Sequence, residues 1–66
     1  MEISVNGKIH TLHNNLTLAE LIAQLNISGQ RFAVEINQTV IPRSSYKDQR
    51  LVTGDRVEII HAIGGG

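Results

Sequence analysis

Three of the six glycines in this 66-residue chain stand together at its end, Gly64-Gly65-Gly66, directly after the apolar run Val57-Glu58-Ile59-Ile60-His61-Ala62-Ile63. At an average glycine usage of about 7%, two terminal glycines arise by chance in roughly 0.5% of chains and three in roughly 0.03%. A tail without side chains can be drawn extended into a narrow active site, because no Cβ obstructs positive φ values or the approach of another backbone. The group that such a tail delivers is its carboxylate. With a pKa near 3.5 a terminal carboxyl is ionised at neutral pH, so it can attack the α-phosphorus of ATP to give an acyl-adenylate. The activated acyl group then accepts a nucleophile such as sulfide. The plainer alternative is a frayed, flexible glycine end. Against it stands the abrupt junction at Ile63, where no serine, charged or proline spacer separates the strand pattern from the glycines.

The rest of the chain offers little other chemistry. Asp48, Asp55, Glu58 and His61 qualify for acid–base work by type alone, and their positions in turns and a strand read as structural. No metal cluster, catalytic base or phosphate-cradling glycine loop is apparent, so no bound cofactor is expected and activation falls to a separate enzyme that uses ATP. Cysteine is absent, which excludes disulfides and thiolate metal sites. Six basic residues balance six acidic ones and are interspersed with them, so no basic footprint points to nucleic acid or an anionic membrane. With only Phe32 and Tyr46 as aromatics, no stacking platform for single strands exists. Neither a signal-peptide pattern nor 18 consecutive apolar residues occurs, and a soluble cytoplasmic protein is expected.

The elements that must position the tail are readable in turn. Asn6-Gly7 suits a type I′ turn and predicts an N-terminal hairpin with Val5 opposite Lys8 and Ile3 opposite His10. That register puts Ile3, Val5, His10 and Leu12 on one face, with His10 peripheral to the core. Thr17 and Glu20 form a capping box, Leu16 and Leu21 a hydrophobic staple, and Leu18, Leu21, Ile22 and Leu25 one apolar stripe. A short helix ending near Leu25 follows, since Asn26 and Ser28-Gly29 tolerate left-handed geometry. Phe32, Val34 and Ile36 alternate with Ala33 and Glu35 in a half-buried strand. Asn37-Gln38 reverses it into Thr39-Val40-Ile41, which Pro42 stops. Ser44 to Gln49 reads as a polar loop or single helical turn around Tyr46, Thr53-Gly54-Asp55 as a turn, and Arg56 to Ile63 as the last strand.

One helix over one sheet is a two-layer α+β arrangement. With the N- and C-terminal strands paired centrally in parallel, this is the β-grasp, or ubiquitin-like, fold: a mixed four- to five-stranded sheet on one short helix. The expected domain is 1–63 and the expected flexible tail 64–66. Alternation puts Val57, Ile59 and His61 toward the helix and Glu58, Ile60 and Ala62 toward water. Ordering three tail residues in a partner costs about 3–6 kcal/mol. Burying some 120–240 Å² of apolar surface, at about 25 cal/mol per Å², offsets that cost. Ile60, Ala62 and Ile63 are the expected docking surface.

Asn6-Gly7, the helix from Thr17 to Leu25, Asn37 to Arg43 with Pro42, and Leu51 followed by Gly54-Asp55-Arg56-Val57-Glu58-Ile59, together with the glycine end, resemble the bacterial thiamine-biosynthesis sulfur carriers over the whole chain. The small subunit of molybdopterin synthase shares the fold and the diglycine end but is typically longer. A protein-conjugating modifier and a non-reactive β-grasp interaction module are the other readings of such a chain. The resemblance implies that the carboxylate of Gly66 is adenylated by a ubiquitin-activating-like adenylyltransferase and converted to a thiocarboxylate. A sulfur donor system such as a cysteine desulfurase would supply the sulfur, and thiazole synthase would receive it. Gly64, Gly65 and Gly66 would then enter the partners' active sites, Gly66 being the residue modified, and the chain itself would be a co-substrate and not an enzyme.

Overall fold

The computed structural model describes residues 1–62. Its elements are β1 (Glu2–Val5), β2 (Lys8–Thr11), helix α1 (Leu18–Gln24), β3 (Phe32–Ile36), β4 (Thr39–Ile41), a 3₁₀ turn (Arg43–Ser45) and β5 (Arg56–His61). The five strands form one mixed sheet in the order β2-β1-β5-β3-β4, with β1 and β5 parallel and all other neighbours antiparallel. The arrangement is the expected β-grasp.

Both hairpins close as two-residue turns. Val5 pairs with Lys8 across Asn6-Gly7, and Ile36 with Thr39 across Asn37-Gln38. All four turn residues have positive φ, between 51° and 82°, as a type I′ turn requires. Gln38, at φ +70°, holds a conformation that a long side chain seldom takes. His10 lies opposite Ile3 and is half-buried at the sheet margin, as its register demands.

The capping box forms as read. The Glu20 amide donates to Thr17 Oγ1 at 3.2 Å, and the Thr17 amide donates to Glu20 Oε1 at 2.9 Å. Leu18, Leu21 and Ile22 of the helix pack with Leu16, Ile3, Val5, Val34, Ile36, Val57 and Ile59 into one core. Two further members are Tyr46, from the segment read as a polar loop, and Leu51, which follows that segment. Their burial has a backbone cause. The first amides of a helix lack intrahelical partners, and here Leu18 donates to the Gln49 carbonyl at 2.8 Å and Ala19 to the Tyr46 carbonyl at 3.0 Å. The loop therefore folds over the helix start, carrying Tyr46 onto Phe32, with ring centroids 6.3 Å apart and nearly parallel.

Glu20 accepts hydrogen bonds from the Thr17 backbone and hydroxyl, which hold its carboxyl below the usual value of 4.5. A carboxylate with a lowered folded-state pKa adds stability that is present above 4.5 and lost as pH falls through the lower folded value. Denaturant unfolding followed from neutral pH into acid should therefore show the stability gap between wild type and Glu20→Ala narrowing below 4.5. A gap independent of pH would contradict this role.

Candidate functional site

β5 is the element that leads toward the glycine tail, and both of its edges are held by asparagine side chains as well as by backbone. On the β1 side the Asn6 amide donates to the Val57 carbonyl at 2.9 Å, after which the chain turns away at Gly7. The Asn6 side chain then continues the ladder. Its Oδ1 accepts from the Ile59 amide at 2.7 Å and its Nδ2 donates to the Ile59 carbonyl at 3.3 Å, so one carboxamide stands in for the next peptide of the missing strand. On the β3 side the Asn37 amide donates to the Arg56 carbonyl at 2.8 Å and Asn37 Oδ1 accepts from the Arg56 amide at 3.0 Å.

Asp55 anchors the start of the same strand. It is the one buried charged residue among those described. Its Oδ1 accepts from Asn37 Nδ2 at 3.1 Å and its Oδ2 from the Val52 amide at 2.9 Å, while the Ser4 amide donates to its backbone carbonyl at 3.0 Å. Buried carboxylates persist when hydrogen-bonded in this way. The structure thus gives Asp55 a fold-forming position in the turn before β5, as its sequence context suggested.

At its far end β5 stops at His61, before Ala62, which the sequence had placed in the strand, although the Ala62 amide still donates to the Arg31 carbonyl at 3.1 Å. His61 shares the face of Val57 and Ile59 but lies beyond the core and is exposed. There Nε2 is 2.8 Å from Gln30 Oε1, and the ring packs at a tilt against Phe32. Ile60 and Ala62 face the opposite, open side of the sheet, Ile60 with 50% of its surface exposed. Together with Phe32, Ala33 and Arg43 they line a shallow depression of about 410 Å³. Ile63, Gly64, Gly65 and Gly66 lie outside the described residues. A larger hollow of about 580 Å³ sits near the other end of β5, lined by Ser4, Asn6, Gly7, Arg56, Val57 and Glu58.

Among the described residues no group of three or more His, Cys, Asp or Glu side chains is placed to hold a metal ion, and no helix is long and apolar enough to cross a membrane. Asp48, Asp55, Glu58 and His61 are not brought together at one point. Asp55 opens β5, Glu58 is exposed at mid-strand and His61 ends it. The surroundings of Ile60 that sequence reasoning missed, Phe32 carrying Arg43 over its ring at 5.4 Å, come from a contact between segments that periodicity within either one does not report.

The sequence pattern of the ThiS family matches residues 3–66. The chain belongs to the ThiS family. Similar proteins include a thiazole synthase from Paramagnetospirillum magneticum, 33% identical over all of this chain. The chain spans about a fifth of that relative's length, 20%. The sulfur carrier protein ThiS of Bacillus subtilis is 29% identical over 97% of this chain and 98% of its own. The crystal structure of a thiamine biosynthesis protein (ThiS) from Geobacter metallireducens superposes with a TM-score of 0.86, at 32% identity, with both chains fully covered. This ThiS-family chain therefore shares its fold with the Geobacter protein, aligns with nearly all of the Bacillus carrier and matches a segment of the thiazole synthase.

The grip on β5 is testable at Asn6. Replacing it with Gly keeps positive φ easy and removes only the carboxamide bonds, which should cost about 1–2 kcal/mol. Asn6→Ala should cost about 1 kcal/mol more, the strain of a left-handed residue bearing a Cβ. Urea unfolding measures both, and an Asn6→Gly protein as stable as wild type would contradict the bridging role.

Proposed function

We propose that this chain is a sulfur carrier of thiamine biosynthesis that acts in the cytoplasm, with the carboxylate of Gly66 as its reactive group. A ubiquitin-activating-like adenylyltransferase joins that carboxylate to the α-phosphorus of ATP and releases pyrophosphate. Sulfur from a donor system such as a cysteine desulfurase, brought to the sulfide level by a thiol reductant that is oxidised to its disulfide, then displaces AMP and leaves a thiocarboxylate. Thiazole synthase takes up the sulfur as the thiazole ring forms. Activation belongs to the partners, and the chain contributes a carrier surface and an end group.

The observation that carries this reading is that the family pattern extends through residue 66, so the glycines belong to the shared pattern. The fold supports it mechanically. β5 is the central strand, held on both sides by backbone and by Asn6 and Asn37, so the residues after Ala62 leave from a fixed point. Four residues, 63 to 66, follow that point. Fully extended they span about 13–14 Å, enough to place a carboxylate in a cleft that the domain body cannot enter. Ile60 and Ala62, with Ile63, supply apolar surface where docking must offset the ordering of the tail. The thiazole synthase relative that contains a matching segment supports thiazole synthase as the acceptor.

Incubation with the adenylyltransferase, ATP and the sulfur donor should raise the intact mass by about 16 Da, one oxygen replaced by sulfur. Deleting Gly66 should abolish the shift. An unchanged mass with partners shown to be competent would refute the proposal.

A further inference from the structure

The open face of the sheet carries a charge pattern next to the depression at Ile60. Glu35 and Glu58 are direct partners across β3 and β5. The ladder is bracketed by the bonds from Ala62 to Arg31 and from Asn37 to Arg56. Bonded pairs alternate with non-bonded ones, so 33/60 and 35/58 are the bonded pairs between these limits. The two glutamates therefore have Cα atoms about 5.5 Å apart. Both lie on the side away from the helix, since their neighbours Val34, Ile36, Val57 and Ile59 are the buried set.

Like charges directly opposite each other destabilise a sheet. Among the described residues no cation pairs with these two carboxylates. Among the described residues neither glutamate has an ion pair or a side-chain hydrogen bond, and Arg56, two positions from Glu58 on the same face, does not reach either. One bonded pair further along, a spacing of about 7 Å, lies the Ala33–Ile60 pair that floors the depression. On its far rim Arg43 is held over the Phe32 ring and has no carboxylate partner among the described residues. The open face thus presents two unneutralised carboxylates and then an exposed apolar residue, and the end of the sheet adds a restrained guanidinium, held on the helix-side Phe32, that shares the depression with Ile60.

We infer that this face docks on thiazole synthase through a complementary patch: a lysine or arginine set between Glu35 and Glu58, an apolar side chain over Ile60, and a carboxylate opposite Arg43. The inference rests on the reading that thiazole synthase is the acceptor, the one proposed partner of which a similar protein carries a matching segment in the same chain. Neutralising the glutamate pair at the interface would remove a repulsion that the free domain retains, so docking and stability should respond with opposite signs.

Association of the full chain with purified thiazole synthase from the same organism, followed by stopped flow at low and high salt, tests this. Glu58→Gln and Arg43→Gln should each slow association by about 3–10-fold at low salt and flatten its salt dependence, the effect expected of charges that steer docking. Glu58→Gln should show this without any fall in Tm, and Glu35→Gln should behave alike. Wild-type rates and salt slopes in all three variants would overturn this inference while leaving sulfur carriage intact. Failure of the wild-type chain to bind thiazole synthase would remove the acceptor assignment and this inference with it.

Discussion

The central placement of β5 is the constraint on which the remaining structure depends. A last strand inserted between the first and the third must find partners on both edges, and β1 ends at Val5 before β5 is complete. The Asn6 carboxamide extends the ladder by one peptide unit, and Asn37 does the corresponding work on the opposite edge. Both residues sit at φ +51°, a left-handed conformation that asparagine accepts more readily than other residues with a Cβ. The hairpin turns are thus also clamps, and the same two side chains reverse the chain and fix the strand that leads to the tail.

The second layer follows from unsatisfied backbone. Helix α1 has seven residues, too few to be stable alone. Its apolar face packs on the sheet, its own capping box satisfies the Glu20 amide, and the loop before β5 satisfies the amides of Leu18 and Ala19. That loop brings Tyr46 under the helix start and against Phe32, whose other neighbours are Arg43 and His61. The packing that completes the core thereby shapes the surface beside the tail.

Local chemistry made much of this readable from residues alone. Asn6-Gly7, the Thr17 and Glu20 pair, the helix stripe and the alternation from Phe32 to Ile36 each act within a few positions, and each forms where its spacing placed it. What escaped acts at long range. Tyr46 looks like a loop aromatic among polar neighbours, because its burial is set by helix amides more than 25 positions away. The Asn6 bridge joins residues 53 apart, and the Glu35–Glu58 pairing exists only once β3 and β5 are in register. The last strand ends at His61, before Ala62, an end that escaped the sequence reading because the apolar character of Ala62 carries no stop signal. The end-group chemistry came from the glycine run itself, and it lies beyond the described residues.

The central claim is that the end of this chain carries the sulfur atom that thiazole synthase consumes. Single-turnover transfer from a chain loaded at Gly66 with radiolabelled sulfur, in the presence of excess unlabelled sulfide, tests it most directly. The account predicts that label leaves the chain and appears in the thiazole one for one. Unlabelled thiazole formed while the chain keeps its label would contradict it.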